Sequence, residues 1–142
     1  MFVLDTDHFS LMEWSAGPAR ENLLRRLSTI PPREVFTTIL TYEEQTRGWM
    51  AYAARARTTA QQVEAYRRLE RHIELYRPVQ VLGFDGRAGT EFERLRAARI
   101  RAGAMDLKIA AIALTHNATV LTRNLKDFSL VPDLDVEDWT VG

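Results

Sequence analysis

The chain predicts an α/β fold, a sandwich of helices around a mainly parallel sheet, and three observations carry that prediction. Short aliphatic or β-branched runs (Phe2–Leu4, Val35–Ile39, Val79–Leu82 and Ala118–Thr122) alternate with helical patterns. No internal repeat, low-complexity tract or long linker divides the 142 residues, so one domain spanning 1–142 is expected. The most strongly patterned stretch, Met105–Phe128, reads in turn as buried helix, tight turn, buried strand and polar loop. In it Leu107, Ala110, Ala111 and Leu114 recur at i, i+3, i+4 and i+7. Ile109, Ile112 and Ala113 fill much of the other side, so this helix is expected to be covered on more than one side.

Taken in order, Phe2-Val3-Leu4 reads as a short buried strand that delivers Asp5 and Asp7 to its C-terminal end. Phe9–Trp14 follows as a brief helix closed by Ala16-Gly17-Pro18, then Ala19–Leu27 with Leu23, Leu24 and Leu27 on one face. Pro31-Pro32 stops that segment. Val35–Ile39 is the second strand. Thr41 reads as an N-cap with Glu44 at capping-box spacing, opening a helix that runs through Arg47 towards Gly48. Trp49–Tyr76 is helical with a break at Thr58-Thr59, and Glu64 and Arg68 form a favourable i, i+4 pair on an exposed face. Pro78 precedes the third strand, Val79–Leu82. Asp85-Gly86 is a turn or cap, and Glu91–Ile100 is the next helix. Val136 and Trp139, among acids, are read as a last edge strand.

The absence of cysteine excludes disulfides, Cys-based zinc sites and thiol nucleophiles. No apolar run approaches the ~18 residues of a membrane span, and the N-terminus carries acids where a signal peptide carries positive charge. A soluble, cytoplasmic protein is therefore expected. A formal net charge of zero argues against coating nucleic acid by bulk electrostatics. The arginine clusters Arg67, Arg68, Arg71 and Arg94, Arg96, Arg99, Arg101 read first as solvated helix faces, while permitting a phosphate-handling surface. His8, His72 and His116 lack metal-ligand spacing and read as structural or exposed. No glycine-rich phosphate loop or nucleophile elbow is present.

Right-handed crossovers place all strand C-termini of a parallel sheet along one rim. Asp5 and Asp7 after the first strand, Glu43 and Glu44 after the second, and Asn124 and Asp127 beyond the strand that follows Asp106 are thus expected to meet there. Crowded carboxylates persist when a shared proton, an arginine or a hard cation offsets their repulsion. Mg²⁺ and Mn²⁺ suit two to four carboxylates, and such a site orients a water for in-line attack on a phosphodiester. Thr6 and Thr122 are candidate donors to phosphate oxygens. Each acid also has an ordinary reading. Asp5 and Asn124 suit turns, Asp106 suits the first turn of a helix, Glu44 completes a capping box and Asp127 is an Asx-type cap.

Three blocks, VLDTDHFS, TTILTYEEQTRG and DLKIAAIALTHNATVLTRNLKDF, resemble the PIN-domain ribonucleases, above all the VapC-type toxins of bacterial toxin–antitoxin pairs. They stand in the family's order and cover essentially the whole chain. The resemblance implies a three-layer α/β/α sandwich with four to five strands. It also implies a Mg²⁺-dependent endoribonuclease, with Mn²⁺ as a substitute, held inactive by a cognate VapB-like protein antitoxin and forming a homodimer. By motif, Asp5 is the first metal-binding acid, Glu44 the second and Asp106 the third, with Glu44 preferred to Glu43 on its spacing from Thr41 and to Gly48. The fourth acidic position falls on Asn124, so either Asp127 supplies the charge or the site runs with three acids. Asp7 replaces a frequent Asn and adds a carboxylate beside the set. Arg123 and Lys126 are candidate RNA contacts. Phe9, Leu11, Met12, Trp14, Trp49, Met50 and Tyr52 either line an antitoxin groove or form ordinary core. Two other readings remain open at this level. One is a non-catalytic PIN-like binding module. The other is an aspartate-nucleophile phosphatase of the haloacid-dehalogenase kind, which also begins with a strand ending in Asp-x-Asp.

Overall fold

The computed structural model describes residues 1–142. Five strands, β1 (Phe2–Leu4), β2 (Val35–Thr38), β3 (Val81–Leu82), β4 (Thr119–Leu121) and β5 (Val136–Glu137), form one sheet in the order β3-β2-β1-β4-β5. Every pairing is parallel. The helices are α1 (Thr6–Trp14), α2 (Pro18–Leu27), α3 (Ile39–Ala54), α4 (Thr59–Tyr76), α5 (Gly86–Ala97), α6 (Ala104–Thr115) and α7 (Leu125–Phe128). The α/β sandwich expected from the alternating pattern is therefore present, with the parallel sheet as its middle layer.

The register of β1 on β4 sets Val3 beside Val120 and Leu4 beside Leu121. Successive strand residues face opposite sides of a sheet. Val3 and Val120 accordingly join the larger core beneath α5 and α6, while Leu4 and Leu121 join Phe9, Leu23 and Trp139 on the other face. In α6, Leu107 and Ile109–Ala113 are all buried, which is the covering on several sides that its sequence predicts. Ile112 is fully enclosed, so truncation to alanine there costs about 2–5 kcal/mol.

Several boundaries differ from expectation for one reason: a polar side chain upstream caps the helix first. Asp5 accepts from the Thr6 N–H and starts α1 at Thr6, not at Phe9. Thr38, not Thr41, caps α3, accepting from the Thr41 N–H at 3.3 Å, so Ile39 is helical and Glu44 lies outside any capping box. Asp85 accepts from the Ala88 N–H and starts α5 five residues early, at Gly86. That helix also ends before Ile100, with Arg99 in the left-handed region at φ 57°. The α3 helix continues through Gly48 to Ala54, because a mid-helix glycine costs only about 1 kcal/mol and does not end a helix by itself. The break near Thr58 is present, with Thr58 and Gln61 forming a capping box. The third strand shrinks to Val81–Leu82, and Trp139 is buried beyond β5 without being part of it. Phe9 is core, with Leu11 and Met12 packed against it, whereas Trp14, Met50 and Tyr52 are exposed. No helix is long and apolar enough to cross a membrane.

Candidate active site

Asp5 leaves the C-terminal end of β1, and its backbone N–H still belongs to the sheet, donating to the Leu121 carbonyl at 3.0 Å. Its carboxylate is almost buried. Oδ1 accepts from the Thr6 N–H at 2.8 Å and Oδ2 from the Thr122 hydroxyl at 2.8 Å. Burial, then the charge of Asp7, outweighs these donors and, with a smaller push from Asp106, lifts the Asp5 carboxyl to about 6. Both of its oxygens keep a second lone pair.

Asp7, one residue into α1, is fixed from both sides. Oδ1 meets His8 Nδ1 at 2.8 Å, and Oδ2 accepts from the Arg123 N–H at 3.0 Å. His8 is fully buried, and its Nε2 accepts the Trp139 N–H at 3.1 Å, so the ring proton sits on Nδ1 and is donated to Asp7. Burial pushes Asp7 up, but the donors from His8 and Arg123 prevail and hold it below the ordinary carboxylate range. The histidine is structural, as its spacing suggested. Its link from the C-terminal segment to an acid of the rim was not legible, because the contact spans |i−j| of 131 residues and has no motif.

Glu44 reaches the rim from the second turn of α3, where its Oε2 accepts from the Thr6 hydroxyl at 2.8 Å. Thr41 Oγ lies 3.1 Å from Thr6 Oγ; with the Thr6 proton on the carboxylate, Thr41 donates to Thr6. Glu43 points elsewhere, pairing with Arg47 at 2.8 Å on the exposed side. The two hydroxyls expected to face a phosphate are thus already engaged. Thr6 donates to Glu44, and Thr122, completely buried, donates to Asp5.

Asp106 stands in the first turn of α6, half-buried, and accepts from the Asn124 side-chain amide at 3.1 Å. Burial, followed by the charges of Asp127 and Glu44, raises its carboxyl above the ordinary value. The same Asn124 Nδ2 donates to Asp127 Oδ2 at 3.1 Å, so Asn124 bridges two acids and both candidates for the fourth position are at the rim. Asn124 itself begins α7, and its backbone N–H donates to Thr122 Oγ at 2.9 Å. Arg123 and Lys126 are exposed beside these groups. No three His, Asp or Glu side chains stand close enough together to form a ready-made metal cluster. The donors are nonetheless all oxygen, and the groups that raise Asp5 and Asp106 are other carboxylates with no basic partner among them. That combination fits a hard divalent cation.

Among curated proteins, the chain is 48% identical over 44 residues to Ribonuclease VapC of Rickettsia bellii, covering 31% of this chain and 33% of that protein. It is 31% identical over 65 residues to Ribonuclease VapC2 of Rickettsia felis, covering 43% and 48%. The matches thus span at most about half of those relatives. Among solved structures, VapBC-1 from nontypeable Haemophilus influenzae matches with a TM-score of 0.72 and 26% identity over 99% of this chain and 98% of that one. FitAcB from Neisseria gonorrhoeae matches in fold with a TM-score of 0.73 and 23% identity, over 98% of each chain. A model of the PIN domain matches residues 2–134, nearly the whole sheet and all of the rim, and the chain belongs to the PIN-domain family.

Proposed function

We propose that this chain is a Mg²⁺- or Mn²⁺-dependent endoribonuclease and the toxin of a cytoplasmic toxin–antitoxin pair. The observation that carries the reading is that Asp5, Glu44, Asp106 and Asp127 stand along one rim, where burial first and neighbouring carboxylates second raise Asp5 and Asp106, and no arginine or lysine pairs with either. The VapC names of the curated relatives and the toxin–antitoxin complexes among the structural neighbours support the ribonuclease activity and a VapB-like protein partner. A homodimer is part of the same reading.

In this proposal Asp5, Glu44 and Asp106 hold the cation, directly or through its waters. Bound there, it supplies Lewis-acid stabilisation of the phosphate charge that develops during attack. Thr122 and the Thr6 N–H fix the Asp5 carboxylate, so its orientation is set before substrate arrives. Glu44, anchored through Oε2, presents Oε1 to orient the attacking water. Asn124 holds Asp106 and Asp127 at a set separation and orients the waters between them. Arg123 and Lys126 meet the RNA backbone from outside the acidic centre, while Thr6 and Thr122 act through the carboxylates they position. An aspartate-nucleophile phosphatase is the poorer reading, since the chain matches the PIN domain over residues 2–134.

The test is cleavage of a mixed cellular RNA pool by antitoxin-free protein with Mn²⁺, beside Asp106→Asn and Asp5→Asn. Discrete, EDTA-sensitive products from the wild type, with a loss of about 10²–10³-fold in each variant, are expected. Equal cleavage by wild type and both variants, all equally folded, would refute the assignment. Mn²⁺ uptake without cleavage of any RNA would favour the non-catalytic binding module.

A further inference from the structure

Resting on the ribonuclease reading, a second feature runs away from the rim along α1 and α3. Thr6 meets Thr41 at 3.1 Å; one turn further, Ser10 meets Gln45 at 3.2 Å; one more turn on, the rings of Trp14 and Trp49 lie 5.5 Å apart between centroids. Residues four apart on a helix share a face, so the two helices run side by side with these contacts as rungs. Trp14 lies about 12 Å along α1 from Thr6, at ~1.5 Å per residue. The far end opens into a cleft of about 340 Å³ whose walls include Trp49, Tyr52 and Arg55. Gly48 lies on its floor, where an added Cβ would meet nothing within 4 Å.

The chemistry of this ledge is opposite to that of the rim. Arg71 sits over the Trp14 ring at 4.5 Å, and Arg68 lies 5.4 Å from Trp14 and 5.6 Å from Trp49. Arg55 lies exposed at the cleft mouth. Trp49 and Tyr52 meet edge-on at 5.8 Å; with Trp14 they line the cleft, and Trp14 and Tyr52 are exposed. Arg68 also pairs with Glu64 at 2.9 Å, which holds it in place and offsets its charge, whereas Arg55 and Arg71 form no ion pair. Flat aromatic surface flanked by guanidinium groups binds what is flat and anionic together. An apolar helix from a protein partner makes no use of these arginines; a nucleotide uses both the rings and the charges.

We propose that the ledge formed by Trp14, Trp49, Tyr52 and Arg55 stacks an unpaired base of the RNA strand whose backbone crosses the acidic rim. Bases in a duplex are stacked on one another and unavailable to it. The ledge therefore favours an unpaired nucleotide beside the cleaved bond and, because every base has a flat face, does so with little regard to which base it is.

The test is tryptophan fluorescence in EDTA, titrating antitoxin-free protein with 12-nucleotide oligouridine, oligoadenosine and a 12-base-pair RNA duplex. Trp139 is buried, so a change in emission reports Trp14 and Trp49. Quenching by the single strands and not by the duplex is expected, with affinity falling roughly tenfold or more in Trp49→Leu and in Trp14→Leu. Trp49→Phe, which keeps a ring, should retain most of it, and far-UV circular dichroism checks that each variant is folded. Folded leucine variants that bind single strands as well as the wild type overturn the proposal and leave the ledge as a protein-docking surface. Quenching by duplex as strong as by single strands overturns it as well. A wild type that cleaves RNA yet shows no quenching overturns the ledge alone; one that neither binds nor cleaves overturns the ribonuclease reading with it.

Discussion

The rim has two halves that are built differently. On the β1/β4 side, Asp5 and Asp7 accept from the Thr6 and Arg123 backbone N–H groups and from the buried side chains of Thr122 and His8. On the α6/α7 side, Asp106 and Asp127 share a single side-chain donor, the amide of Asn124. The first half is fixed by folding itself, because its donors belong to the sheet and to the first turn of α1. The second is held only by side chains, two of which repel each other. Preorganised donors stabilise charge without reorganising at the moment of reaction. A half held only by side chains is where a bound cation has the most order left to impose.

The largest effects should come from removing one acid on each side. Asp5→Asn and Asp106→Asn are both expected to lower RNA cleavage by about 10²–10³-fold. They should part company in stability. Asp5 is nearly buried and its charge is disfavoured in the fold, so Asp5→Asn should raise the metal-free melting temperature at pH 7.5. Asp106 is more exposed and should show a smaller rise. A metal-free Asp5→Asn protein less stable than wild type would break the comparison, since the charge would then be supported and not penalised.

The pH dependence follows with its sign worked out. The folded Asp5 carboxyl, at about 6, lies above its ordinary 3.8, so its contribution is fully present below about pH 4 and is lost as pH rises through 6. That shift corresponds to about 3 kcal/mol. Asp106 moves in the same direction. Asp7 is depressed and works oppositely, contributing above the ordinary carboxylate range and losing that contribution as pH falls through its folded value. Urea midpoints in EDTA should therefore fall between pH 4.5 and 7.5, and Mn²⁺ should restore most of the loss at pH 7.5 by binding the folded, ionised rim. A metal-free midpoint that stays flat over this range would show that burial and the neighbouring carboxylates do not penalise these charges in the fold.

How much of this was legible in the sequence differs between the halves. The parallel sheet and the placing of the acids at the C-terminal ends of its strands followed from alternating elements and the handedness of crossovers, and the motif blocks pointed to Asp5, Glu44 and Asp106. That the hydroxyls of Thr6 and Thr122 meet Glu44 and Asp5 was not legible, because hydrogen-bond direction is a three-dimensional fact. Thr122 closes the run read as a buried strand and is buried, but spacing does not show that its hydroxyl turns to Asp5. Glu44 looked like half of a capping box because Thr41 precedes it at the right spacing. The earlier Thr38 caps the helix instead, and two cap candidates three residues apart are indistinguishable by spacing alone. Trp14, Trp49 and Tyr52 were read as lining an antitoxin groove or as ordinary core; their meeting was not legible, since Trp14 and Trp49 share no motif and meet through the packing of α1 on α3.

Asn124→Asp sharpens the comparison on the weaker side. It removes two donated hydrogen bonds and adds a third charge beside Asp106 and Asp127. Metal-free stability should drop by about 2–3 kcal/mol at pH 7.5, while affinity for Mn²⁺ rises. Calorimetric titration with Mn²⁺ and urea unfolding in EDTA read the two effects separately. An unchanged Mn²⁺ affinity would mean that this position lies outside the cation's reach.

The smallest effect should come from the residue that joins the halves. Thr122 donates to Asp5 Oδ2 at 2.8 Å and accepts from the Asn124 N–H at 2.9 Å, so one hydroxyl ties the buried acid to the start of α7. Valine has nearly the same shape and suits a strand end, so Thr122→Val deletes the link while keeping the packing. Asp5 then loses a donor that favours its charged form, and its carboxyl should move further up. The Asn124 N–H is left without its acceptor, which should cost about 1–2 kcal/mol and speed exchange of that amide. Thr122→Ser keeps the hydroxyl and should leave the Asp5 titration near the wild type, losing only a buried methyl. If Thr122→Val shifts the Asp5 titration but leaves exchange at Asn124 unchanged, the halves are independent and the hydroxyl serves only the sheet-side acids, Asp5 at 2.8 Å and Asp7 at 3.3 Å. Coupled changes at both positions would show that fixing the sheet-side acid also sets where α7 presents Asn124 and Asp127.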